Sequence, residues 1–95
     1  MNHCIIAKFN ASVTDKPAAI ASVKALFASA APVEGVHGIT IQENCVARDN
    51  RYDLMIVVEM DKAALPNWDV SEIHHRWKEQ FGGMLEKKAI FDYED

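Results

Sequence analysis

Histidine and cysteine side chains are the groups in this sequence best suited to chemistry near neutral pH. Imidazole titrates in that range and can give or take a proton, and a thiolate is a strong nucleophile. The chain carries four histidines and two cysteines, at His3, His37, His74, His75, Cys4 and Cys45. What each can do depends on the strand or helix that holds it.

The histidines do not form a metal-binding pattern. His74 and His75 are adjacent on a predicted helix, where successive side chains point about 100° apart, and no acidic residue lies at a ligand spacing from them. No glycine-rich loop opens a helix, because Gly82 and Gly83 follow one. The sequence therefore predicts no metal and no cofactor. We expect His75 to be solvated and His37 to lie at the surface.

The cysteines favour a structural interpretation. Cys4 and Cys45 both fall within predicted strands, where cysteine is usually a small buried apolar residue. They are far apart and lack metal-ligand spacing, which is typical of reduced thiols in the cytosol. The pattern predicts a cytoplasmic protein in which neither thiol is a nucleophile.

Length and charge exclude several classes of function. A chain of 95 residues with 49% hydrophobic content and a net charge of -4 predicts a single domain, 1–95. Its ten basic residues are scattered in sequence, with only Lys87 and Lys88 adjacent. We therefore expect no basic face for nucleic acid and no membrane-surface binding. No apolar run approaches the ~18 residues that a membrane span needs.

The predicted elements define a fold class. Alternation, helical spacing, caps and turn residues predict strands over 3–9, 36–46, 52–60 and 88–93, one helix from a cap at Thr14 or Asp15 to about Ala30, and a mainly helical stretch over 61–81 interrupted by Pro66 and restarting at Asp69 or Ser71. This order predicts an α+β, ferredoxin-like split βαβ fold. Its four-stranded antiparallel sheet would carry both helices on one face.

The predicted strands are apolar on both sides, which one layer of helices does not explain. In the first strand Cys4 and Ile6 alternate with Ile5 and Ala7, and the third and fourth strands behave alike. Leaving a large apolar side chain in water forfeits about 1.5 to 3 kcal/mol, and such a patch usually marks an interface. We therefore predict a homodimer that packs through its sheet faces, a dimeric α/β barrel.

Four segments together resemble the stress-responsive dimeric α/β-barrel family, often called Dabb. The likeness lies in the opening His3-Cys4-Ile5-Ile6-Ala7-Lys8-Phe9, in Val33-Glu34-Gly35-Val36, in Tyr52-Asp53-Leu54 with Val57-Val58-Glu59, and in Ile90-Phe91-Asp92-Tyr93. Their order covers nearly the whole chain. The resemblance implies the same dimeric barrel and a mostly apolar cavity between sheet and helices. It also implies that biochemical function is unknown for most relatives, with polyketide cyclases in a plant branch and related cofactor-free monooxygenases.

The resemblance also places candidate site residues. His74 falls on the second histidine of the family's His-Pro-x-His motif, and His3 on its first-strand histidine. Ser71 stands in place of the motif's first histidine, so the motif is half kept. Separately, Trp68 stands where the cyclases have a tyrosine. The expected cavity has His3 and His74 as polar features, with apolar walls from Ile5, Ala7, Val23, Leu26, Ile56, Val58, Trp77 and Leu85.

Three interpretations of function stay open at this point. The first is binding of a small apolar or aromatic molecule in the cavity, in a stress or metabolic context. The second is a cofactor-free enzyme, a cyclase, isomerase or monooxygenase, with His74 as acid and base. The third is a purely structural or assembly module, in which His74 and the aromatic residues Trp68, Trp77 and Phe81 only pack.

Overall fold

Strands and helices follow the predicted order in the computed structural model, which describes all residues 1–95. The elements are β1 (Asn2–Phe9), α1 (Lys16–Ala28), β2 (Val36–Glu43), β3 (Leu54–Met60), α2 (Leu65–Asp69), α3 (Glu72–Phe81) and β4 (Leu85–Tyr93), with 3-10 turns at Lys62–Ala64 and Gly82–Met84. The strands form one antiparallel sheet in the order β2-β3-β1-β4. The predicted ferredoxin-like fold class is confirmed.

Local signals explain where the helices begin. Asp15 caps α1 by accepting a hydrogen bond from the backbone N–H of Ala18 at 3.1 Å, and Pro17 lies in the first turn, where its missing N–H costs least. Ser71 caps α3 in the same way, because its Oγ accepts a hydrogen bond from the N–H of His74 at 3.3 Å. Both caps lie among the positions that the sequence indicates.

Several predicted boundaries were wrong. Pro66 does not interrupt the helical segment; it lies in the first turn of α2, where proline is tolerated, and the break falls at 70–71. The first helix ends at Ala28, before Ala30. The second strand ends at Glu43, so Cys45 lies beyond it and is exposed rather than buried. The last strand begins earlier than predicted, at Leu85.

The hydrophobic core lies between the helices and one face of the sheet. Residues of that face alternate along β1 and β3, and they pack with the apolar stripes of α1 and α3. The register places His3 opposite Val58 on one side and Asp92 on the other. Because directly paired residues share a face, His3 and Asp92 both lie on the side of the helices.

The other face of the sheet has no layer over it. We call it the open face; its apolar members are Cys4, Ile6, Met55, Val57, Ala89, Phe91 and Tyr93. Phe91 is 62% exposed and Tyr93 is 43% exposed. The prediction that Ala89, Phe91 and Tyr93 or else Ile90 must face away from the helices is resolved in favour of the first set. The helices of the protein are all too short or too polar to cross a membrane.

Candidate functional site

His3 is held near the start of β1 by a carboxylate on the neighbouring strand β4. Its Nδ1 forms a short hydrogen bond with Oδ1 of Asp92. A carboxylate only accepts, so Nδ1 carries a proton, and Nε2 has no partner in the protein. His3 is buried, whereas the side chain of Asp92 remains 38% exposed. The Asp92 carboxylate thus orients the imidazole and fixes its tautomer.

His74 lies in the first turn of α3 with its ring oriented by the preceding helix. Its Nδ1 lies 3.0 Å from the backbone carbonyl oxygen of Asp69, the last residue of α2. A carbonyl can only accept, so Nδ1–H is the donor here too. The ring is half-buried and again leaves Nε2 without a protein partner. Ser71, which caps the same turn, fixes the backbone that carries this ring.

Trp68 connects the two imidazoles. Its ring centroid lies 6.3 Å from that of His3 and 5.4 Å from that of His74. The side chain is fully buried, and its indole N–H is the one buried side-chain polar group that lacks a hydrogen-bond partner. An unmade buried hydrogen bond costs about 1 to 3 kcal/mol. We call His3, Trp68, His74 and Asp92 the His–Trp cluster.

The cluster reaches solvent at the edge strand β4, through the partly exposed side chain of Asp92. Lys88, Ile90 and Asp92 face the helix side through their pairing with Ala7, Ile5 and His3. Ile90 is nevertheless 50% exposed, in a strand at the edge of the sheet. The exposed side chain of Ile90, between Lys88 and Asp92, forms a small apolar shelf beside His3. An apolar ligand on this shelf would lie next to the cluster.

The predicted cavity walls all lie on the helix side of the sheet or on the helices that cover it. Ile5, Ala7, Val23, Leu26, Ile56, Val58 and Trp77 are buried members of one packed core, and Leu85 is half-buried against it. A pocket of about 450 Å³ lies elsewhere, between the end of α1 and the junction of α2 and α3, and none of these eight residues lines it. Their role as ligand contacts therefore stays a prediction.

The remaining histidines lie beside surface carboxylates. His37 Nε2 lies 2.8 Å from a carboxylate oxygen of Asp61, and His75 Nε2 lies 3.1 Å from Glu79, one helical turn away. Both imidazoles are more than half exposed, in line with the solvated positions expected for them. No group of three or more His, Cys, Asp or Glu side chains is arranged to hold a metal ion.

Cys4 is the titratable group whose chemistry the fold alters most. Burial, and after it the nearby Asp92 carboxylate, raises the pKa of the Cys4 thiol above its ordinary value. Its thiol therefore stays protonated and unreactive near neutral pH. This environment agrees with the structural role predicted for Cys4.

Sequence reasoning missed two members of the cluster in their observed roles. The sequence does not identify Asp92 as the partner of His3, although the two residues lie in the first and the last predicted strands. The signal was present in the strand parity, but the register between β1 and β4 was needed to use it. For Trp68 the sequence predicts at most a packed aromatic residue, and nothing in the sequence indicates that its N–H lacks a partner.

No protein-family model and no curated protein matches the sequence. Solved structures do share its fold. A dimeric protein of unknown function with a ferredoxin-like fold from Bacteroides fragilis superposes with a TM-score of 0.81 at 16% identity, covering 99% of this chain and 94% of that one. A Dabb family protein from Mesorhizobium loti superposes with a TM-score of 0.70 at 15% identity, covering 99% and 94%.

A third structure with this fold is an enzyme. Hydroxynitrile lyase from Passiflora edulis has a TM-score of 0.71 at 12% identity, over 97% of this chain and 89% of that one. At these identities the similarity shows the fold alone. The chain thus has the ferredoxin-like fold of a Dabb family protein, and the resemblance expected from the sequence motifs is confirmed at the level of the fold.

Proposed function

We propose that residues 1–95 form a single domain that assembles as a homodimer and binds a small apolar or aromatic molecule at the His–Trp cluster. The ligand would carry a hydrogen-bond acceptor, such as a carbonyl or hydroxyl oxygen. The observation that carries this proposal is the buried indole N–H of Trp68, which has no partner within the protein.

The energetics of that N–H favour a ligand over simple packing. Phenylalanine would fill much of the same space without leaving a buried donor unsatisfied, so tryptophan here costs stability that packing alone does not require. The exposed shelf at Ile90 supplies apolar surface beside the cluster. An aromatic ring on the shelf would cover the exposed isoleucine, and its oxygen would satisfy the N–H once the side chains that bury Trp68 move aside to admit it.

The dimer part of the proposal rests on the open face and on the structural neighbours. Phe91 and Tyr93 expose large apolar surface on a sheet face that no element of the chain covers. The B. fragilis protein with the same fold is dimeric. A second copy of the chain is the occupant that would cover this face. The cytoplasmic location predicted from the free cysteines remains part of the proposal.

Affinity measurements with matched ligands test the binding proposal. Acetophenone and ethylbenzene have similar shapes and differ in the carbonyl oxygen, so wild-type protein should bind acetophenone about tenfold more tightly, as one satisfied buried donor implies. Trp68→Phe should remove this preference, and Trp77→Phe, the same change in the same core, should keep it. Equal binding of the two ligands by wild-type protein, or an unchanged preference in Trp68→Phe, would contradict the proposal.

A second candidate function is proton-transfer catalysis, favoured by the free Nε2 atoms of His3 and His74. Each ring holds its Nδ1 proton on a protein oxygen and leaves Nε2 available as a base. Binding remains the first proposal, because it alone accounts for the unpartnered N–H of Trp68.

Cleavage of an aromatic hydroxynitrile is the assay for this candidate, since a neighbour with the same fold is a hydroxynitrile lyase. A base would take the hydroxyl proton, and the carbon–cyanide bond would break to leave an aldehyde. The departing cyanide would then take up that proton and leave as hydrogen cyanide. Activity that falls at least about tenfold in His74→Gln would support catalysis by this ring, as general acid–base contributions of that size or larger are usual. Activity that is absent, or unchanged in His74→Gln, would exclude this role.

A further inference from the structure

Basic residues that are scattered along the sequence meet at one end of the sheet. Lys8 at the end of β1, Lys16 at the start of α1, and Arg48 and Arg51 in the loop between β2 and β3 all line one pocket of about 380 Å³. The remaining lining residues are Asn44, Ala47, Asp49 and Asp53. The basic residues meet here because the fold joins positions that are up to 43 residues apart in sequence.

The carboxylates in the pocket do not neutralise it. Asp53 is occupied, since its Oδ1 lies 3.1 Å from the ammonium of Lys16 and its Oδ2 accepts a hydrogen bond from the N–H of Phe9 at 2.8 Å. Neither Arg48 nor Arg51 forms an ion pair with any carboxylate. Four cationic and two anionic residues leave a formal excess of two positive charges, in a chain whose net charge is -4.

Lys8 adds a partly desolvated charge. Its side chain is only 20% exposed, and its ammonium donates a hydrogen bond to the backbone oxygen of Asp49 at 2.6 Å. The ammonium also pairs with the carboxylate of Glu86 at 3.5 Å, and Glu86, which is more than half exposed, lies outside the pocket. In β4 the residue directly opposite Lys8 is Lys87, whose ammonium lies 5.6 Å from the ring centroid of Tyr52.

The arrangement suits an oxyanion. Guanidinium groups bind carboxylate and phosphate oxygens through paired N–H donors, and ammonium groups add charge without fixed direction. Arg51 is half-buried and directs Nη1 to the side-chain oxygen of Asn50 at 2.6 Å, which holds it in the loop. Lys16 is the first residue of α1, so the positive end of that helix dipole adds to the local potential.

We propose that this pocket, distinct from the His–Trp cluster, binds the oxyanion group of a small molecule, a phosphate or a carboxylate. The proposal does not depend on the function proposed above, because it involves none of the same residues. Inorganic phosphate and citrate are the probes, and each is titrated calorimetrically into the full chain at constant ionic strength, with chloride as the reference anion.

A matched pair of double variants separates a built site from general charge. Arg48→Ala with Arg51→Ala removes two positive charges from the pocket, whereas Arg76→Ala with Lys78→Ala removes two from the surface of α3. We expect the first pair to weaken binding of the better probe at least about tenfold, and the second pair to change it less than about twofold. Unchanged thermal unfolding in both pairs shows that the loop and helix remain folded.

The outcomes decide both the site and its chemistry. Tighter binding of phosphate indicates a phosphorylated ligand, and tighter binding of citrate indicates a carboxylate ligand; both support the site when the pocket variant loses that binding. The proposal is overturned if neither probe binds more tightly than chloride, or if the two double variants weaken binding equally.

Discussion

Replacing Phe91 by glutamate should separate the proposed dimer into monomers. Phe91 lies on the open face and is 62% exposed in the single chain. A phenylalanine has roughly 200 Å² to bury, so covering the exposed part removes about 120 Å² from water. At about 25 cal/mol per Å² this contributes about 3 kcal/mol per chain, and about 6 kcal/mol over both copies. That amounts to about four powers of ten in the dimer dissociation constant.

Light scattering coupled to size-exclusion chromatography measures this effect directly. Wild-type protein at micromolar concentration should elute with twice the chain mass, and Phe91→Glu with the mass of one chain. Val70→Glu is the matched control, because Val70 is 85% exposed but lies at the end of α2, away from the open face. A monomeric wild type, or a Phe91→Glu variant that stays dimeric, would refute the inference from the open face.

Three further predictions concern stability and thiol chemistry. Gly35 has φ +83°, and a Cβ added there would lie 2.5 Å from the Cβ of Ala64, so Gly35→Ala should lower the free energy of unfolding by about 1 to 3 kcal/mol in denaturant titrations. A Cβ added at Gly38 would meet open space, so Gly38→Ala should change the same free energy by at most about 1 kcal/mol. Ser71→Ala removes the cap of α3 and should cost about 1 kcal/mol in the same assay; an unchanged midpoint would refute the capping role. An aromatic disulfide reagent should modify Cys45 rapidly and Cys4 only on unfolding, and equal rates would contradict the burial of Cys4.

The raised pKa of Cys4 also predicts the sign of a pH effect. The native thiol keeps its proton to a higher pH than the unfolded thiol, because burial and Asp92 raise its pKa above the ordinary value. The stability that this difference contributes is complete below the unfolded pKa and is lost as pH rises above it, with a slope of at most about 1.4 kcal/mol per pH unit. Cys4→Ala should remove this slope in urea titrations at alkaline pH. A slope that persists in Cys4→Ala would assign the effect to another group.

The spacing of apolar residues and the cap and turn residues between the elements are enough to predict the fold. Strand alternation, the caps at Asp15 and Ser71, and the order of elements together specify the ferredoxin-like arrangement, and strand parity correctly places His3 on the helix side. The prediction of a helix boundary was wrong where a residue is compatible with two positions in a helix. Pro66 interrupts a helix interior but fits a first turn, and only the packing of α2 decides between them.

The candidate site was only partly predictable, because its geometry depends on long-range pairing. The family motifs identify His3 and His74, but the hydrogen bond between His3 and Asp92 depends on the register between β1 and β4. The missing partner of the Trp68 N–H follows from everything that packs around it. The basic pocket likewise joins β1, α1 and a loop whose lysines and arginines are far apart in sequence.

The indole N–H of Trp68 provides the most direct measurement of the central claim. The protein has two tryptophans, so its ¹⁵N–¹H spectrum contains two indole signals, and Trp68→Phe assigns them. Because the N–H of Trp68 lacks an acceptor in the free protein, acetophenone should move its proton signal downfield and leave that of Trp77 nearly unchanged, and ethylbenzene should not produce this shift. A Trp68 signal that stays in place while acetophenone binds elsewhere would contradict the assignment of the ligand site to the His–Trp cluster.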